Sequence, residues 1–228
     1  MLVVALIGAL IVFTTDAIRE SQNEEQTAKA DRTIQWLNLS GGDAVDPDFS
    51  WISLIWKTLP QDGIVLTNLA TPGATASQLA LLLCSGDPDV EVDLATVWIG
   101  PEDFLAGTQI LEFEEHFATI LSWLTAKQAE ILVGNLPDLT TELVAAQLAE
   151  FNAVRPVFDQ WNASIARLTA SFGGVIVELD QPLDLGRSPI RFLNATKFDP
   201  NSEAQAFVGQ RFFDALTPAL TGGRSSAK

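Results

Sequence analysis

The feature that most constrains the fold is the alternation of short β-branched runs with longer helical patterns. The runs GIVLTNLA, LATVWIG, AEILVGNL and GGVIVEL cover residues 63–70, 94–100, 129–136 and 173–179. Short apolar runs of this kind are typical of strands buried in a parallel sheet. The uncharged run VVALIGALIVF, residues 3–13, is predicted to be the first strand. The order of elements predicts an α/β fold, a three-layer α/β/α sandwich with a five-stranded parallel sheet.

The clearest helical pattern lies between residues 151 and 172. Apolar side chains recur there at spacings of three and four, which places them along one face of a helix. They are Phe151, Val154, Phe158, Trp161, Ile165, Leu168 and Phe172. Right-handed crossovers between parallel strands place all their carboxyl ends at one edge of the sheet. We therefore expect the functional residues to collect at that edge.

The composition narrows the range of functions. The 228 residues include 13 Lys or Arg and 29 Asp or Glu, and the resulting net charge of −16 opposes binding to nucleic acid or to anionic bilayers. The chain has one His and no Tyr, so the usual acid and base catalysts are scarce. The single cysteine, Cys84, cannot form an internal disulfide and is predicted to be buried.

The N-terminal apolar run also bears on localisation. A secretory signal carries a basic segment before its apolar core, and neither Lys nor Arg precedes Leu2. Crossing a bilayer takes about 20 apolar residues, whereas the polar sequence TTDAIRESQNEEQ follows this run at once. We therefore predict neither a signal peptide nor a membrane span, which favours the cytoplasm. Residues 14–48 are predicted to be an acidic connection that could cover the carboxyl edge as a lid, residues 1–220 one domain, and residues 221–228 a flexible tail.

Four blocks of the sequence resemble the SGNH or GDSL hydrolases, a family of esterases, lipases and acyl-hydrolases. They are VLTNLATPGATASQL (65–79), TVWIGPEDFLAG (96–107), ILVGNLPDLT (131–140) and FNAVRPVFDQWNASI (151–165). Their order and spacing match the family, and the resemblance covers nearly the whole chain. It implies a flavodoxin-like SGNH hydrolase fold with a Ser nucleophile, an Asp and His pair, and an oxyanion hole.

The position of the nucleophile is altered in this alignment. The family's first strand ends in Gly-Asp-Ser-Leu. When that strand is aligned with residues 3–13, Ile7 takes the position of the Gly, Gly8 that of the Asp, and Ala9 that of the Ser. A methyl group cannot attack an ester, and Phe13 nearby suggests an apolar mouth to the site.

The other catalytic positions carry different residue types as well. Glu102 stands where the family's Gly-x-Asn-Asp has the oxyanion-hole Asn, and its charge would repel the developing oxyanion. The family's Asp-x-x-His-Pro reads TKFDP here, which gives Thr196 and Asp199. Gly73 still matches an oxyanion-hole position. The chain's only imidazole, His116, lies in a helical stretch and is predicted to be a surface or boundary residue.

The substitutions leave three hypotheses about function. The first is a pseudoenzyme, a hydrolase-like scaffold without ester hydrolysis and without a cofactor, whose ligand or protein partner the sequence does not name. The second is a hydrolase with a carboxylate-based or cation-assisted site, because paired carboxylates hydrolyse glycosides or hold hard cations. No metal-ligand spacing supports this second hypothesis. Its candidate residues are Asp16, Glu102, Asp103 and Asp199.

The third hypothesis retains esterase or lipase activity on acyl esters with another serine, such as Ser40 or Ser77. A nucleophilic serine needs an adjacent base, and the spacing supplies none. Asp199 also has a structural interpretation, since an Asp before Pro200 suits the N-cap of the last helix. The sequence therefore favours the pseudoenzyme.

Overall fold

A five-stranded parallel sheet forms the centre of the structure. The computed structural model describes residues 33–40, 50–86, 89–145, 151–180, 191–194 and 197–220. The sheet has the order β2-β1-β3-β4-β5, and a separate antiparallel hairpin is made of β6 and β7. The strands are β1 Ile34–Ser40, β2 Ile64–Asn68, β3 Leu94–Trp98, β4 Glu130–Gly134, β5 Val175–Val177, β6 Leu193–Asn194 and β7 Lys197–Phe198.

Seven helices lie in the described part of the chain. They are α1 Trp51–Thr58, α2 Ala76–Gly86, α3 Pro101–Ala106, α4 Ile110–Ala126, α5 Thr140–Ala145, α6 Phe151–Ser171 and α7 Ser202–Leu220. The chain divides into two units between residues 33 and 34, and all of these elements belong to the second unit. That residues 1–220 form one domain stays a prediction.

The two faces of the sheet are covered by two hydrophobic clusters. Leu37 and Leu39 of β1 point into the first cluster, which includes buried side chains of α2, α4 and α6. Trp36 points to the opposite face, into the second cluster, with buried side chains of α1 and α7. Side chains alternate between the faces of a strand, so this division follows from the sheet itself. The predicted three-layer sandwich with a five-stranded parallel sheet is confirmed.

The sequence analysis did not predict β1, the strand that lies between β2 and β3. β1 Ile34–Ser40 pairs in parallel with both β2 and β3, and it precedes the other four strands in the chain. Among the described strands the first is therefore β1, whereas residues 3–13, which were predicted to be the first strand, lie outside the described residues. The prediction of a connecting segment over residues 14–48 is wrong, because that segment contains β1.

Apolar patterns correctly predicted the other four strands of the sheet and the helix between residues 151 and 172. The helix expected between residues 151 and 172 is α6, and its apolar stripe is buried at Phe158, Trp161, Ile165 and Leu168. Cys84 is exposed instead of buried, because α2 turns Leu79, Ala80 and Leu83 toward the core and leaves Cys84 outside that face. Within the described residues, no helix has the length and apolar character needed to span a bilayer.

Candidate functional site

The carboxyl edge of the sheet brings Ser40 next to the loop that follows β2. Ser40 is the last residue of β1 and is 2% exposed. Its carbonyl oxygen accepts a hydrogen bond from the amide of Thr71 at 3.1 Å, and the register places it opposite Trp98, the last residue of β3. The ends of β1, β2 and β3 are therefore neighbours at this edge.

The loop after β2 turns sharply at Gly73. Its φ of +69° lies in the left-handed region, where a side chain would strain the backbone. A Cβ at this position would meet no atom within 4 Å, so the glycine is needed for the backbone conformation and not for space. The turn is closed by a hydrogen bond from the Ala74 amide to the Thr71 carbonyl at 3.1 Å. Gly73 thus lies at the carboxyl edge, and its part in an oxyanion hole stays a prediction.

The turn after β3 places two carboxyl groups at the start of α3. Pro101 is the first residue of α3, and Glu102 and Asp103 follow in its first turn. Glu102 is half-buried, whereas Asp103 is 2% exposed and its Oδ2 accepts the Ala76 amide at 2.9 Å. Burial raises the pKa of Asp103 from its ordinary 3.8 to about 6. The carboxyl group of Asp103 is therefore already engaged by the protein.

A polar network centred on the buried Asn38 joins β1, β2 and β3 beneath this edge. The fully buried Asn38 accepts a hydrogen bond at Oδ1 from Thr96 Oγ1, at 2.9 Å, and donates from Nδ2 to Asn68 Oδ1, also at 2.9 Å. Trp36 Nε1 donates to Thr96 Oγ1 at 3.1 Å. Asn38 Nδ2 also donates, at 3.4 Å, to Ser40 Oγ. Asn38 Nδ2 is the hydrogen-bond partner of the Ser40 hydroxyl among the described residues. The hydroxyl proton of Ser40 has no acceptor among the described residues.

Asp199 lies just after β7 and is held by the hairpin. Its amide donates to the carbonyl oxygen of Phe192 at 3.0 Å. The hairpin is in turn fixed to α5, because the Glu142 carboxylate accepts the Phe192 amide at 2.9 and 3.0 Å and the Leu193 amide at 2.8 Å. Asp199 is half-buried. Through Glu142, helix α5 thus fixes the position of the hairpin, and the hairpin in turn fixes the position of Asp199.

The prediction that Asp199 caps the last helix is wrong. α7 begins at Ser202, and the residue before it, Asn201, accepts the Ala204 amide at its Oδ1 at 2.8 Å. Asn201 is therefore the N-cap, since a capping side chain binds the amide three positions later. Asp199 lies two residues before the cap.

Several other predicted site residues lie elsewhere. Gly8, Ala9, Asp16 and Thr196 fall outside the described residues, and so their roles stay predictions. His116 is half-exposed within α4, and Ser77 lies in the first turn of α2 with its Oγ 3.1 Å from Thr75 Oγ1. In the described ranges, no group of three or more His, Cys, Asp or Glu side chains could hold a metal ion.

A groove of about 650 Å³ opens beside α3, between the α3–α4 loop and helices α5 and α6. Its polar lining consists of Thr108, Gln109 and Gln160, and the lining contributed by the described residues carries no charged side chain. Phe104, which directly follows Asp103 in α3, lines the groove, so the groove lies close to the carboxyl edge of the sheet. Its aliphatic and aromatic lining includes Phe104, Leu105, Ile110, Leu143, Val154, Val157 and Trp161.

Known proteins resemble this chain in structure. No protein-family model matches it, and no curated protein matches it in sequence. The psychrotrophic esterase EstA from Pseudoalteromonas sp., inhibited by monoethylphosphonate, is 17% identical with a TM-score of 0.61, over 82% of this chain and 99% of that chain. TesA is 18% identical with a TM-score of 0.63, over 81% and 99% of the two chains. A member of the lipolytic protein G-D-S-L family from Veillonella parvula DSM 2008 is 11% identical with a TM-score of 0.63, over 81% and 98%. The chain has the SGNH hydrolase fold.

The first strand of the described sheet ends in a polar segment. The family's first strand ends in Gly-Asp-Ser-Leu, and the strand that comes first in this sheet ends in Asn38, Leu39 and Ser40. The sequence analysis named Ser40 only as an alternative serine and did not place it at the end of a strand, because it assigned the first strand to residues 3–13. The signal that could have revealed it is IQWLNLS followed directly by two glycines, a strand pattern that ends at a turn.

Proposed function

We propose that this protein uses the SGNH fold to bind a neutral apolar ligand and does not hydrolyse esters. The observation that carries this proposal is the contact of Ser40 Oγ with Asn38 Nδ2, a hydrogen-bond donor. A nucleophilic serine needs a neighbouring base that takes its proton as it attacks. The Ser40 oxygen accepts from an amide, and no acceptor for its own proton lies among the described residues, so it has no activating base there.

The only imidazole of the chain does not supply the missing base. His116 lies on α4, whose buried residues Phe113 and Phe117 belong to the first cluster. Ser40 follows Trp36 by four residues, so alternation along β1 turns its side chain toward the face of the second cluster. The sheet therefore separates the helix that carries His116 from the face that carries the Ser40 side chain.

The acidic residues at the family's catalytic positions also work against ester hydrolysis. Asp199 stands where the family has its His, and a carboxylate is a much weaker base than an imidazole. Glu102 stands where the family has its oxyanion-hole Asn, and an ionised carboxylate there would oppose the developing negative charge. Loss of the His alone from such a site costs about 10⁶-fold in turnover, and loss of an oxyanion donor costs about 10²-fold to 10³-fold, although the two losses do not add.

The groove beside α3 supports the neutral, apolar character of the ligand. Its walls are mostly aliphatic and aromatic, and no described residue that lines it is basic. A buried anion would lack a partner there, and the net charge of −16 would repel it further. A chain-like or ring-like neutral molecule would instead gain the free energy of apolar burial.

A displacement experiment tests the ligand class. The neutral fluorophore N-phenyl-1-naphthylamine is bound to the protein and displaced with either decanol or decanoate. We expect decanoate to bind about ten-fold or more weakly than decanol, because its charge is desolvated without a partner. Equal displacement by both would contradict a neutral site.

Two matched variants localise the binding. Val157 is 45% exposed on α6 and lines the groove, whereas Leu82 is 44% exposed on α2 and lies outside the groove lining. Val157→Glu is expected to weaken binding of the fluorophore about ten-fold, and Leu82→Glu to leave it unchanged. Equal losses in the two variants would show that the fluorophore binds elsewhere.

A further inference from the structure

Three buried side-chain N–H groups lie together on the face of the sheet that carries the second cluster. They are Nε1 of Trp51, the first residue of α1, Nε1 of Trp98, the last residue of β3, and Nε2 of Gln205 in the first turn of α7. Their side chains are 0%, 0% and 1% exposed, and none of the three nitrogens has a hydrogen-bond partner among the described residues. We propose that they form a donor site that binds the carbonyl oxygen of a small neutral molecule.

Direct contacts hold the three side chains next to one another. The rings of Trp51 and Trp98 have their centroids 6.4 Å apart and are nearly perpendicular, at 81°. Gln205 Oε1 accepts the Trp51 amide at 2.8 Å. A backbone N–H can only donate, so this contact fixes which end of the Gln205 side chain is the oxygen and leaves Nε2 as the unpartnered end. Two helices and a strand therefore bring N–H donors into one region.

The donor site adjoins the carboxyl edge of the sheet. Trp98 ends β3, and the sheet register pairs it with Ser40, the last residue of β1. Paired residues of neighbouring strands point to the same face of a sheet, so the Ser40 side chain lies on the face that carries the donors. None of the three donor residues lines the groove beside α3. The donor site is therefore a different binding position from the groove.

The chemistry of the unpartnered atoms selects the ligand. A buried N–H without an acceptor has lost its hydration and gained nothing in return, so an acceptor atom is favoured there. All three groups are uncharged, and the net charge of −16 opposes a buried anion. A water molecule would bring two protons that need acceptors of their own, whereas a carbonyl oxygen only accepts. The carbonyl group of a neutral ketone or amide therefore fits these donors.

The packing of the rings favours a compact ligand. Trp51 stacks on Phe212 with the ring centroids 4.4 Å apart, and Trp98 packs edge to face on Phe198 at 5.3 Å. Movement of such large, closely packed rings is costly. We therefore expect the carbonyl group to be carried by a small ring or a short chain.

Nuclear magnetic resonance of the ¹⁵N-labelled protein tests the site, because each of the six Trp residues gives one indole N–H signal. The probe is cyclopentanone, and the control is cyclopentane, which has the same ring without an acceptor. We expect cyclopentanone to move the Trp51 and Trp98 signals downfield in a saturable manner, because a hydrogen bond deshields the donated proton. Trp51→Phe and Trp98→Phe assign the two signals. The Trp36 signal should stay in place, since its indole already donates to Thr96 Oγ1 at 3.1 Å.

A pair of matched variants tests the contribution of α7. Gln205→Glu removes one donor but keeps an oxygen for the Trp51 amide, and its carboxylate would repel the carbonyl oxygen. We expect cyclopentanone to bind this variant about ten-fold more weakly. Gln210→Glu introduces the same charge at an exposed position of the same helix and should leave the affinity unchanged.

Three results would overturn the donor site. Indole signals that do not respond to cyclopentanone would show that water or neighbouring ring faces hold these N–H groups. Equal responses to cyclopentane would show apolar burial alone, and equal losses in Gln205→Glu and Gln210→Glu would show a site elsewhere. The first two comparisons use the unchanged protein, so they decide the matter even if Gln205→Glu does not fold. Fluorophore displacement reports on the groove, so the donor site and the proposed function can fail separately.

Discussion

A variant that carries Asp199→His, Thr196→Asp and Glu102→Asn together is expected to hydrolyse short acyl esters at least about 100-fold faster than the unchanged protein. Ser40 already lies at the end of β1. The three substitutions would supply a base, a carboxylate to orient it and a neutral oxyanion donor. Hydrolysis of p-nitrophenyl butyrate, followed against a buffer blank, measures the gain.

The gain should require all three substitutions and Ser40. A His without an orienting Asp, or an Asn without a base, is expected to do almost nothing, because the groups of such a site act as a unit. Adding Ser40→Ala to the triple variant should return the rate to background, whereas adding Ala9→Ser should change nothing. A folded triple variant whose Ser40 is not labelled by a fluorophosphonate would show that these positions do not share one site.

Trp98→Ala is expected to lower the free energy of unfolding by about 3–5 kcal/mol, the range for removal of a large aromatic side chain from a core. Trp98 is completely buried and packs against Trp51 and Phe198, with ring centroids 6.4 and 5.3 Å apart. Its Cδ1 lies 2.9 Å from the position that a Cβ on Gly134 would occupy, so its ring fills the space that this glycine leaves on β4. Urea unfolding followed by circular dichroism measures the loss.

Trp123→Ala is the matched control. Trp123 is half-buried on α4, and Lys127 Nζ lies 5.1 Å from the centre of its ring. Trp123 is only partly buried against the first cluster, and a cation–π contact at such a position contributes about 0.5–1 kcal/mol, so this variant should lose less stability than Trp98→Ala. Similar losses in the two variants would contradict the packing described for the second cluster.

Apolar periodicity was sufficient to predict most of the sheet but not β1. The other four strands are short apolar runs, and the sequence analysis placed all of them correctly. β1 reads IQWLNLS, and its polar residues are compatible with the interior only through partners on other strands. Asn38 is satisfied by Thr96 and Asn68, which lie 58 and 30 positions away. A local pattern cannot show such partners, so an uninterrupted apolar run was chosen instead.

In the candidate site, too, local sequence patterns could be predicted, whereas contacts between distant segments could not. Gly73, Glu102 and Asp199 follow from short motifs, and the structure describes Gly73 in the loop after β2 and Glu102 in the first turn of α3, the helix that follows β3. The contact of Asp103 with Ala76 could not be predicted, because it depends on how the fold brings the first turn of α3 to the start of α2. Hydrogen bonds between segments that are distant in the chain depend on the folded backbone, so no characteristic residue spacing in the sequence indicates them.

Ester hydrolysis by the purified protein and by its Ser40→Ala variant, compared at equal concentration, tests the central claim most directly. Contaminating esterases would contribute equally to both preparations, and Ser77→Ala serves as a second serine control. The account predicts that all three proteins hydrolyse p-nitrophenyl butyrate at the rate of the buffer blank, because no described base accepts the proton of Ser40. Saturable turnover by the unchanged protein that is lost in Ser40→Ala and kept in Ser77→Ala would contradict it.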